Sequence, residues 1–207
     1  MQPQQPQQQG SFRVTLSIRK EPEGGPVFCK MEQTQRFKQL KTVKLHTDTT
    51  YRVDVSFKPP RSLQSLVIQD QVMAACERAR DSTACAYSSY YTTEGLKPSK
   101  KGTREDLCIV MKVLGSGEVS TCLQTKLYKA RDIQHCEWGS RLHCIELDCT
   151  GADDAPGGVR VEKETYRAIP SFTPDPSPEE EGCCGACSSP SKIPNISTEI
   201  FKEIADT

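Results

Sequence analysis

The sequence predicts an all-β protein, an antiparallel β-sandwich with disordered termini. Two segments, 12–20 and 51–58, alternate strictly between apolar and polar residues, which is the period of a half-buried strand. Short apolar segments recur along the chain between turns rich in Gly, Pro and charged residues. Many short strands at such spacing are typical of antiparallel sandwiches and barrels.

The first predicted strand, 12–20, places Phe12, Val14, Leu16 and Ile18 on one face and ends at a Gly/Pro-rich turn. The strand at 51–58 shows the same alternation and ends at a Pro-Pro pair. Residues 94–106 are predicted to be a polar loop, and 72–80 fits either a short helix or a strand. The other predicted strands are 27–31, 42–47, 63–68, 84–92, 107–113, 119–128 and 141–149.

Composition divides the chain into three parts. Residues 1–10 are rich in Gln and Pro and are predicted to be disordered. Residues 11–150 form the predicted sandwich domain. Residues 151–207 are predicted to be an acidic disordered tail. Near its end, apolar residues recur at helical spacing and predict a short amphipathic helix; they are Ile196, Ile200, Phe201 and Ile204.

The charge of the chain is unevenly distributed. Residues 1–150 hold 22 Lys/Arg and 16 Asp/Glu, whereas residues 151–207 hold 5 and 11. A basic domain with an acidic tail favours an acidic peptide partner, or contact between the domain and its own tail. Nucleic acid is disfavoured as a partner because no block of consecutive basic residues occurs.

No segment of the sequence suggests export or membrane insertion. The N-terminus lacks a charged start followed by an apolar run, and no stretch approaches the roughly 20 apolar residues of a transmembrane helix. A cytoplasmic protein is therefore expected, with peripheral association at the inner face of the plasma membrane. In that compartment the eleven Cys are expected to be buried apolar residues, exposed thiols or lipidation sites.

The stretch 131–149 concentrates His and Cys, but its spacing argues against a metal or a catalytic thiol. His135-Cys136 and His143-Cys144 are adjacent pairs, whereas structural zinc sites pair ligands two to four residues apart. On a strand, neighbouring side chains also point to opposite faces. No nucleophile elbow, Walker loop or zinc-protease motif occurs. We therefore predict no metal, no cofactor and no catalytic residue.

A second cysteine cluster lies in the tail at Cys183, Cys184 and Cys187. It is a candidate lipidation site, and it could also bind a soft metal or be oxidised. The neighbouring run of three Glu residues repels an anionic membrane surface. Stable anchoring usually needs a second signal such as a basic patch, and this weakens the lipidation hypothesis.

The candidate binding residues lie in two places: at the start of the predicted polar loop 94–106, and just before the last predicted strand. Tyr and Trp side chains combine an apolar body with a polar tip and are common at binding surfaces, although each is more often part of a core. Trp138, the only Trp, is also expected to anchor the end of the sandwich. The candidates are Tyr91, Glu94, Gly95, His135, Trp138 and Gly139.

Several short runs, in matching order and spacing over residues 12–149, resemble one family. The chain is similar to the cannabinoid receptor type 1-interacting protein family. The matching residues are Gly25-Pro26-Val27-Phe28, Lys30, Arg36-Phe37, Lys44-Leu45, Tyr51, Val53, Lys58-Pro59, Tyr91, Thr93-Glu94-Gly95, Pro98, Lys100, Arg131-Asp132, His135-Cys136, Trp138-Gly139-Ser140, Ile145-Glu146 and Cys149.

The resemblance implies a small cytosolic sandwich, similar to the lipid-binding sandwich of Rho GDP-dissociation inhibitors. It implies a non-enzymatic adaptor that binds the cytoplasmic C-terminal tail of a G-protein-coupled receptor and modulates its signalling. The likeness to the Rho inhibitor leaves a second hypothesis, a carrier that holds a lipid or acyl chain between its sheets. The N-terminus, residues 62–86 and the tail depart from the family pattern.

Overall fold

The computed structural model describes residues 10–32, 36–155 and 157–170, and for Pro170 the backbone. The described part is almost entirely strand, which confirms the all-β prediction. The elements are β1 Phe12–Lys20, β2 Gly25–Met31, β3 Lys41–His46, β4 Thr50–Lys58, β5 Leu63–Ile68, β6 Gln71–Met73, β7 Cys76–Arg80, β8 Cys85–Thr92, β9 Glu105–Val113, β10 Gly117–Tyr128, α1 Ile133–Cys136, β11 Ser140–Gly151 and β12 Val159–Pro170.

The layers of the sandwich are two halves of one curled sheet. The strand order is β6–β5–β9–β10–β3–β2–β11–β1–β4–β8–β7, and β12 pairs with β11. The pairings are antiparallel except β3 with β10 and a single bridge between Glu118 and Gly158. The ends of the path approach each other, because the Tyr87 hydroxyl on β8 lies 3.3 Å from the Leu63 amide of β5.

One hydrophobic core fills the space between the two halves, and both halves contribute to it. Val14 and Val55 come from one half, Leu66 and Ile109 from the other, and all four are fully buried. These residues occupy the apolar positions of the alternating pattern, so the period of two predicted which face each strand buries. Among the described residues, no helix is long and apolar enough to cross a membrane.

The ambiguous segment 72–80 is strand on both sides of a short break, as β6 and β7. All five residues of β7 are exposed, and this strand ends the sheet. An edge strand that buries no side chain has no need of an apolar face. Its sequence therefore lacks the alternation that would have identified it.

The prediction that the domain ends at residue 150 is wrong, because a further strand of the sheet follows that residue. Strand β11 continues to Gly151, and β12 pairs with β11 along most of its length. Half-buried Tyr166 and Ala168 pack against the core, although their strand is rich in charged residues on its outer face. Three predictions lie outside the described residues: disorder at 1–10, apart from Gly10, and the disordered tail and C-terminal helix beyond 170.

Limited proteolysis is expected to leave a resistant core that includes β12, because cleavage requires exposed backbone outside a paired strand. Mass spectrometry of the fragments should place the C-terminal cut beyond residue 168. A core that ends near residue 150 would contradict the observed pairing of β11 with β12.

Candidate functional site

Three neighbouring strands, β2, β3 and β10, gather cations on their outer face. Lys126 of β10 is the register partner of Lys44 on β3, and Lys44 pairs with Phe28 of β2. Alternation then places Lys30, two residues after Phe28, on this side as well. We call the surface the lysine–aromatic face; it comprises Lys30, Lys44, Arg104 and Lys126 with the rings of Phe37, Tyr128 and Trp138.

Helix α1 is a single turn held against this face by Lys44. Lys44 is only 3% exposed. Its ammonium donates to the backbone carbonyl of His135 at 2.7 Å and to that of Trp138. Asp132 caps the helix by accepting from the amide of His135. The turn at 133–136 is thus built around a buried cation and not around an apolar stripe.

Trp138 projects from the end of this turn and is 58% exposed. The expectation that its side chain anchors the sandwich is therefore wrong, because the link to the fold runs through its backbone carbonyl. The Lys44 ammonium lies 5.0 Å from the centroid of the Trp138 ring, within the range of a cation–π contact. An exposed indole stacked on a fixed cation is a rigid apolar contact surface.

Gly139, the next residue, fixes the position of Trp138. Its φ is +114°, and a Cβ there would lie 2.7 Å from the backbone oxygen of Cys29. Only glycine therefore allows the chain to pass this close to β2 before β11 begins. Gly139 therefore has a positional role beside the lysine–aromatic face.

Two further rings continue the face along β10 towards β9. Tyr128 lies beneath the Lys126 ammonium at 5.0 Å and the Lys44 ammonium at 5.7 Å from its centroid. At the far end, the Arg104 guanidinium lies 4.2 Å from the Phe37 centroid. Cations and rings thus alternate across the surface.

A cleft of about 360 Å³ lies at the Phe37 end. Its floor is held by a buried ion pair between Arg104 and Glu32, to which Thr42 donates a hydrogen bond at 2.7 Å. The residues lining the cleft are Arg36, Phe37, Lys38, Gly102, Thr103, Arg104, Asp106 and Gln124. The cations among them, Arg36, Lys38 and Arg104, are suited to binding a carboxylate or another small anion, although Lys38 is already paired with Asp106 at 2.9 Å.

The electrostatics of the face are dominated by positive charge. Burial lowers the pKa of Lys44, and Lys30 and Lys126 lower it further. Burial also lowers the pKa of Lys126, with Arg104 and Lys30 as additional causes. In the part of the chain that is described, the carboxylate paired with these cations is that of Glu32. Mutual repulsion of this kind is relieved when a negative partner binds.

The structure places the predicted binding residues in two groups at one end of the fold. His135, Trp138 and Gly139 border the lysine–aromatic face. Glu94 and Gly95 are exposed on the loop after β8, where the Gly95 amide donates to Asp48 at 3.1 Å. Tyr91 is buried in the core, so its predicted binding role is wrong.

The turn between β3 and β4 links the two groups. Thr93 donates to the backbone oxygen of His46 at 2.7 Å, and Asp132 lies close enough to the buried His46 ring to influence its pKa. Burial lowers the pKa of His46, and the charge on Lys20 lowers it further. His46 is therefore neutral in the fold at pH 7, and acid that protonates it destabilises the fold by placing a charge in a buried position.

Cysteine and histidine in the 131–149 stretch do not converge on one point. The Cys136 thiol is buried, which raises its pKa to about 12, and the His135 ring instead contacts Asp132 at 2.8 Å. His135 and Cys136 lie on α1 and not on a strand, so the reasoning from alternating faces was wrong for that pair. Within the described ranges, no group of three potential metal ligands occurs.

Two other cysteines contradict the expectation of unpaired thiols. Cys108 of β9 and Cys122 of β10 are joined by a disulfide. Six more cysteines of the described chain are free. The candidate lipidation residues Cys183, Cys184 and Cys187 lie outside the described residues.

Sequence reasoning did not identify Lys126, Arg104 or Tyr128 as candidate site residues, although it found Trp138. The available signal was the alternation of β10, whose polar positions lie opposite its apolar ones. That pattern marks an outer face but does not show which strands are neighbours. The β3–β10 pairing, which joins segments about 80 residues apart, brings the cations together.

Comparisons with known proteins identify relatives over most of the chain. A family model described as "CB1 cannabinoid receptor-interacting protein 1" matches residues 8–166, which includes part of β12. The human and rat proteins of that name are each 34% identical to this chain over 160 residues, covering 76% of this chain and 96% of the relative. The bovine protein matches equally well.

Proposed function

The chain belongs to the CB1 cannabinoid receptor-interacting protein family, and from this premise we propose that it is a non-enzymatic adaptor. It binds the cytoplasmic C-terminal tail of a G-protein-coupled receptor similar to cannabinoid receptor type 1 and modulates the signalling of that receptor. It acts in the cytoplasm and reaches the inner face of the plasma membrane through the receptor.

The lysine–aromatic face carries the proposal. It combines an exposed Trp with a cluster of cations that has an excess of positive charge. Trp and Arg are the residues most often responsible for binding energy at interfaces, and Tyr joins them. The residues that carry the family resemblance are well represented here, since Lys30, Phe37, Lys44 and Trp138 belong to it.

The face suits an extended acidic peptide. The outer side of β3 is itself buried, but the partly exposed Lys30 and Lys126 lie on either side of it. Trp138 lies at one end of the face and the Phe37 cleft at the other. A peptide lying along it would bring carboxylates to Lys126 and Lys30, and apolar side chains to the rings. Loss of charge repulsion among the cations would favour such binding.

The alternative, a lipid carrier, finds less support in the described residues. A carrier needs space between the halves of the sheet, and the core there is filled by packed side chains such as Leu16, Phe57 and Met111. The two larger clefts are open to solvent and lined by polar as well as apolar atoms. Native mass spectrometry that detects a co-purified lipid would reverse this preference.

Charge reversal on the face tests the proposal. Lys126→Glu is expected to weaken binding of a synthetic receptor-tail peptide about tenfold at low salt, because it places like charges opposite each other. The difference should shrink at high salt as the charges are screened. Fluorescence anisotropy of a labelled peptide, measured against the full chain, gives both affinities.

Arg78→Glu is the matched control, since Arg78 is equally charged but lies on the exposed edge strand β7 of the other half of the sheet. It should leave the affinity unchanged, and both variants should unfold at the wild-type temperature. Equal losses of affinity in the two variants would indicate nonspecific charge attraction. An affinity that is unchanged by Lys126→Glu would mean that the binding site lies elsewhere.

A further inference from the structure

Beyond peptide binding, the outer surface of β9 and β10 holds a pair of cysteines placed directly opposite each other. Cys108 and Cys122 are register partners, their Cα atoms are 4.0 Å apart, and their sulfurs are bonded. Both residues are half-buried. Their alternating neighbours Leu107 and Leu123 point into the core, so the two sulfurs face outwards on the side that carries the lysine–aromatic face.

The backbone geometry shows that the Cys108–Cys122 disulfide can form or break without a rearrangement of the two strands. The Cys108 amide and carbonyl are both directed to Gln69, at 3.3 and 2.9 Å, and therefore away from β10. Cys108 and Cys122 form a non-hydrogen-bonded pair, the arrangement in which opposing residues approach most closely. Nine register pairs hold the two strands together, so the thiols stay opposed when the bond is absent.

Other cysteines of the described chain are poorly placed to react and form an intramolecular disulfide. Burial raises the pKa of Cys29, Cys136, Cys144 and Cys149, which keeps these thiols protonated and inert. Cys76 is exposed and free; it can form a mixed disulfide, but no intramolecular bond to a described partner is seen. The cross-strand pair differs from all of these because two sulfurs meet at an accessible surface.

We propose that Cys108 and Cys122 form a reversible dithiol–disulfide site that exchanges with small disulfides of the glutathione class. One thiolate attacks the small disulfide, forms a mixed disulfide and releases one glutathione. The second thiolate then attacks the protein sulfur of that mixed disulfide and releases the other. Two protein thiols lose their protons and are oxidised, and one glutathione disulfide is reduced to two glutathione molecules.

The bond also bears on the segment that carries Phe37. Gln39 donates from its side chain to the Cys122 backbone oxygen at 2.6 Å, and its amide donates to Gln124 at 3.1 Å. Segment 36–40 therefore rests on the β10 backbone beside the disulfide. Closing the bond restricts the relative motion of β9 and β10 and so holds this segment more firmly.

The test uses the full chain in which exposed Cys76 and the three cysteines outside the described residues are replaced, by Cys76→Ser, Cys183→Ser, Cys184→Ser and Cys187→Ser. Incubation with glutathione disulfide should produce the loss of two hydrogen masses without a glutathione adduct, and dithiothreitol should reverse it. Oxidation should raise the thermal midpoint by about 5–10 °C, as expected for a loop of this length. Hydrogen exchange in residues 36–40 should be slower in the oxidised form.

The same chain with Cys108→Ser and Cys122→Ser in addition is the control, and it should show none of these responses. A stable glutathione adduct without formation of the Cys108–Cys122 bond would overturn the proposal. So would unfolding in dithiothreitol, or a thermal midpoint that is the same before and after oxidation. No receptor peptide is present in these measurements. Their failure is therefore distinguishable from failure of the proposed binding function.

Discussion

Trp138→Ala is expected to weaken binding of a receptor-tail peptide by at least about thirtyfold, the equivalent of roughly 2 kcal/mol or more for an interface residue that carries much of the binding energy. The indole is 58% exposed and rests on the buried ammonium of Lys44. A partner that covers it removes apolar surface from water and finds a side chain that is already fixed in place. Binding therefore costs little side-chain conformational entropy at this residue.

The same variant should hardly change the free energy of unfolding. Lys44 holds the turn through backbone carbonyls, which alanine retains, and loss of an exposed side chain usually costs less than about 1 kcal/mol. Thermal unfolding and isothermal titration with the peptide would measure the two effects on one sample. Trp138→Phe is the control, since it keeps a ring over Lys44 and should lose less affinity.

Two outcomes would contradict this assignment. If Trp138→Ala unfolds at a much lower temperature, the side chain supports the fold, as the sequence first suggested. If the variant binds the peptide as tightly as wild type, the lysine–aromatic face is not the binding site.

The strands could be predicted from the sequence wherever one face is buried. In β1 and β4 every second residue is apolar, and these positions are buried in the structure. Strand β12 was missed because its core contacts come from a few residues such as Tyr166 and Ala168 among many charged ones. Paired against β11, it requires only a partly apolar face.

The site was only partly predictable for a different reason. Trp138 and His135 drew notice as rare residues in one short run, but the structure assigns their support to Lys44, which looks like an ordinary polar position of β3. A buried lysine satisfied by two carbonyl groups cannot be read from alternation. It becomes visible only when α1 is seen to close over β3.

Helix α1 shows the same limit. Four residues, with Asp132 as the cap and His135 bonded to it, make one turn that has no apolar periodicity to detect. The turn is held in place because Lys44 of β3 donates hydrogen bonds to its carbonyl groups. Tertiary contacts, and not local propensity, determine this part of the fold.

The second large effect is expected in stability, at the opposite end of the face. Arg104→Ala should lower the free energy of unfolding by about 3 kcal/mol, because the buried Glu32 carboxylate loses its hydrogen-bonded cation and keeps only the more exposed Lys30 ammonium at 3.5 Å. Glu32 is 7% exposed and accepts from Arg104 Nε at 2.9 Å and from Thr42 at 2.7 Å. Urea unfolding monitored by circular dichroism would give the difference.

Arg160→Ala is the matched control. Arg160 forms an ion pair with Asp154 at 2.6 Å, but both side chains are largely exposed. Exposed pairs contribute less than about 1 kcal/mol, so this variant should be nearly as stable as wild type. Adding Glu32→Gln to Arg104→Ala should recover part of the lost stability, because a neutral amide replaces a buried charge that has lost its hydrogen-bonded cation.

The dependence on pH supplies an independent check of the Arg104→Ala result. In the wild type, burial alone would raise the pKa of Glu32, but hydrogen bonds from Thr42 and Arg104 and the charge of Arg104 hold it below its ordinary value of 4.5. The wild type therefore loses the contribution of this pair as the pH falls through that lowered pKa. Without Arg104, burial is opposed only by Thr42 and Lys30, so the pKa of Glu32 should be higher than in the wild type, and the variant should regain relative stability as the carboxylate takes up a proton. The stability gap should thus be widest near neutral pH and narrow as the pH falls through the pKa of Glu32 in the variant; a gap of constant size would mean that Arg104 acts through packing on Phe37 and not through its charge.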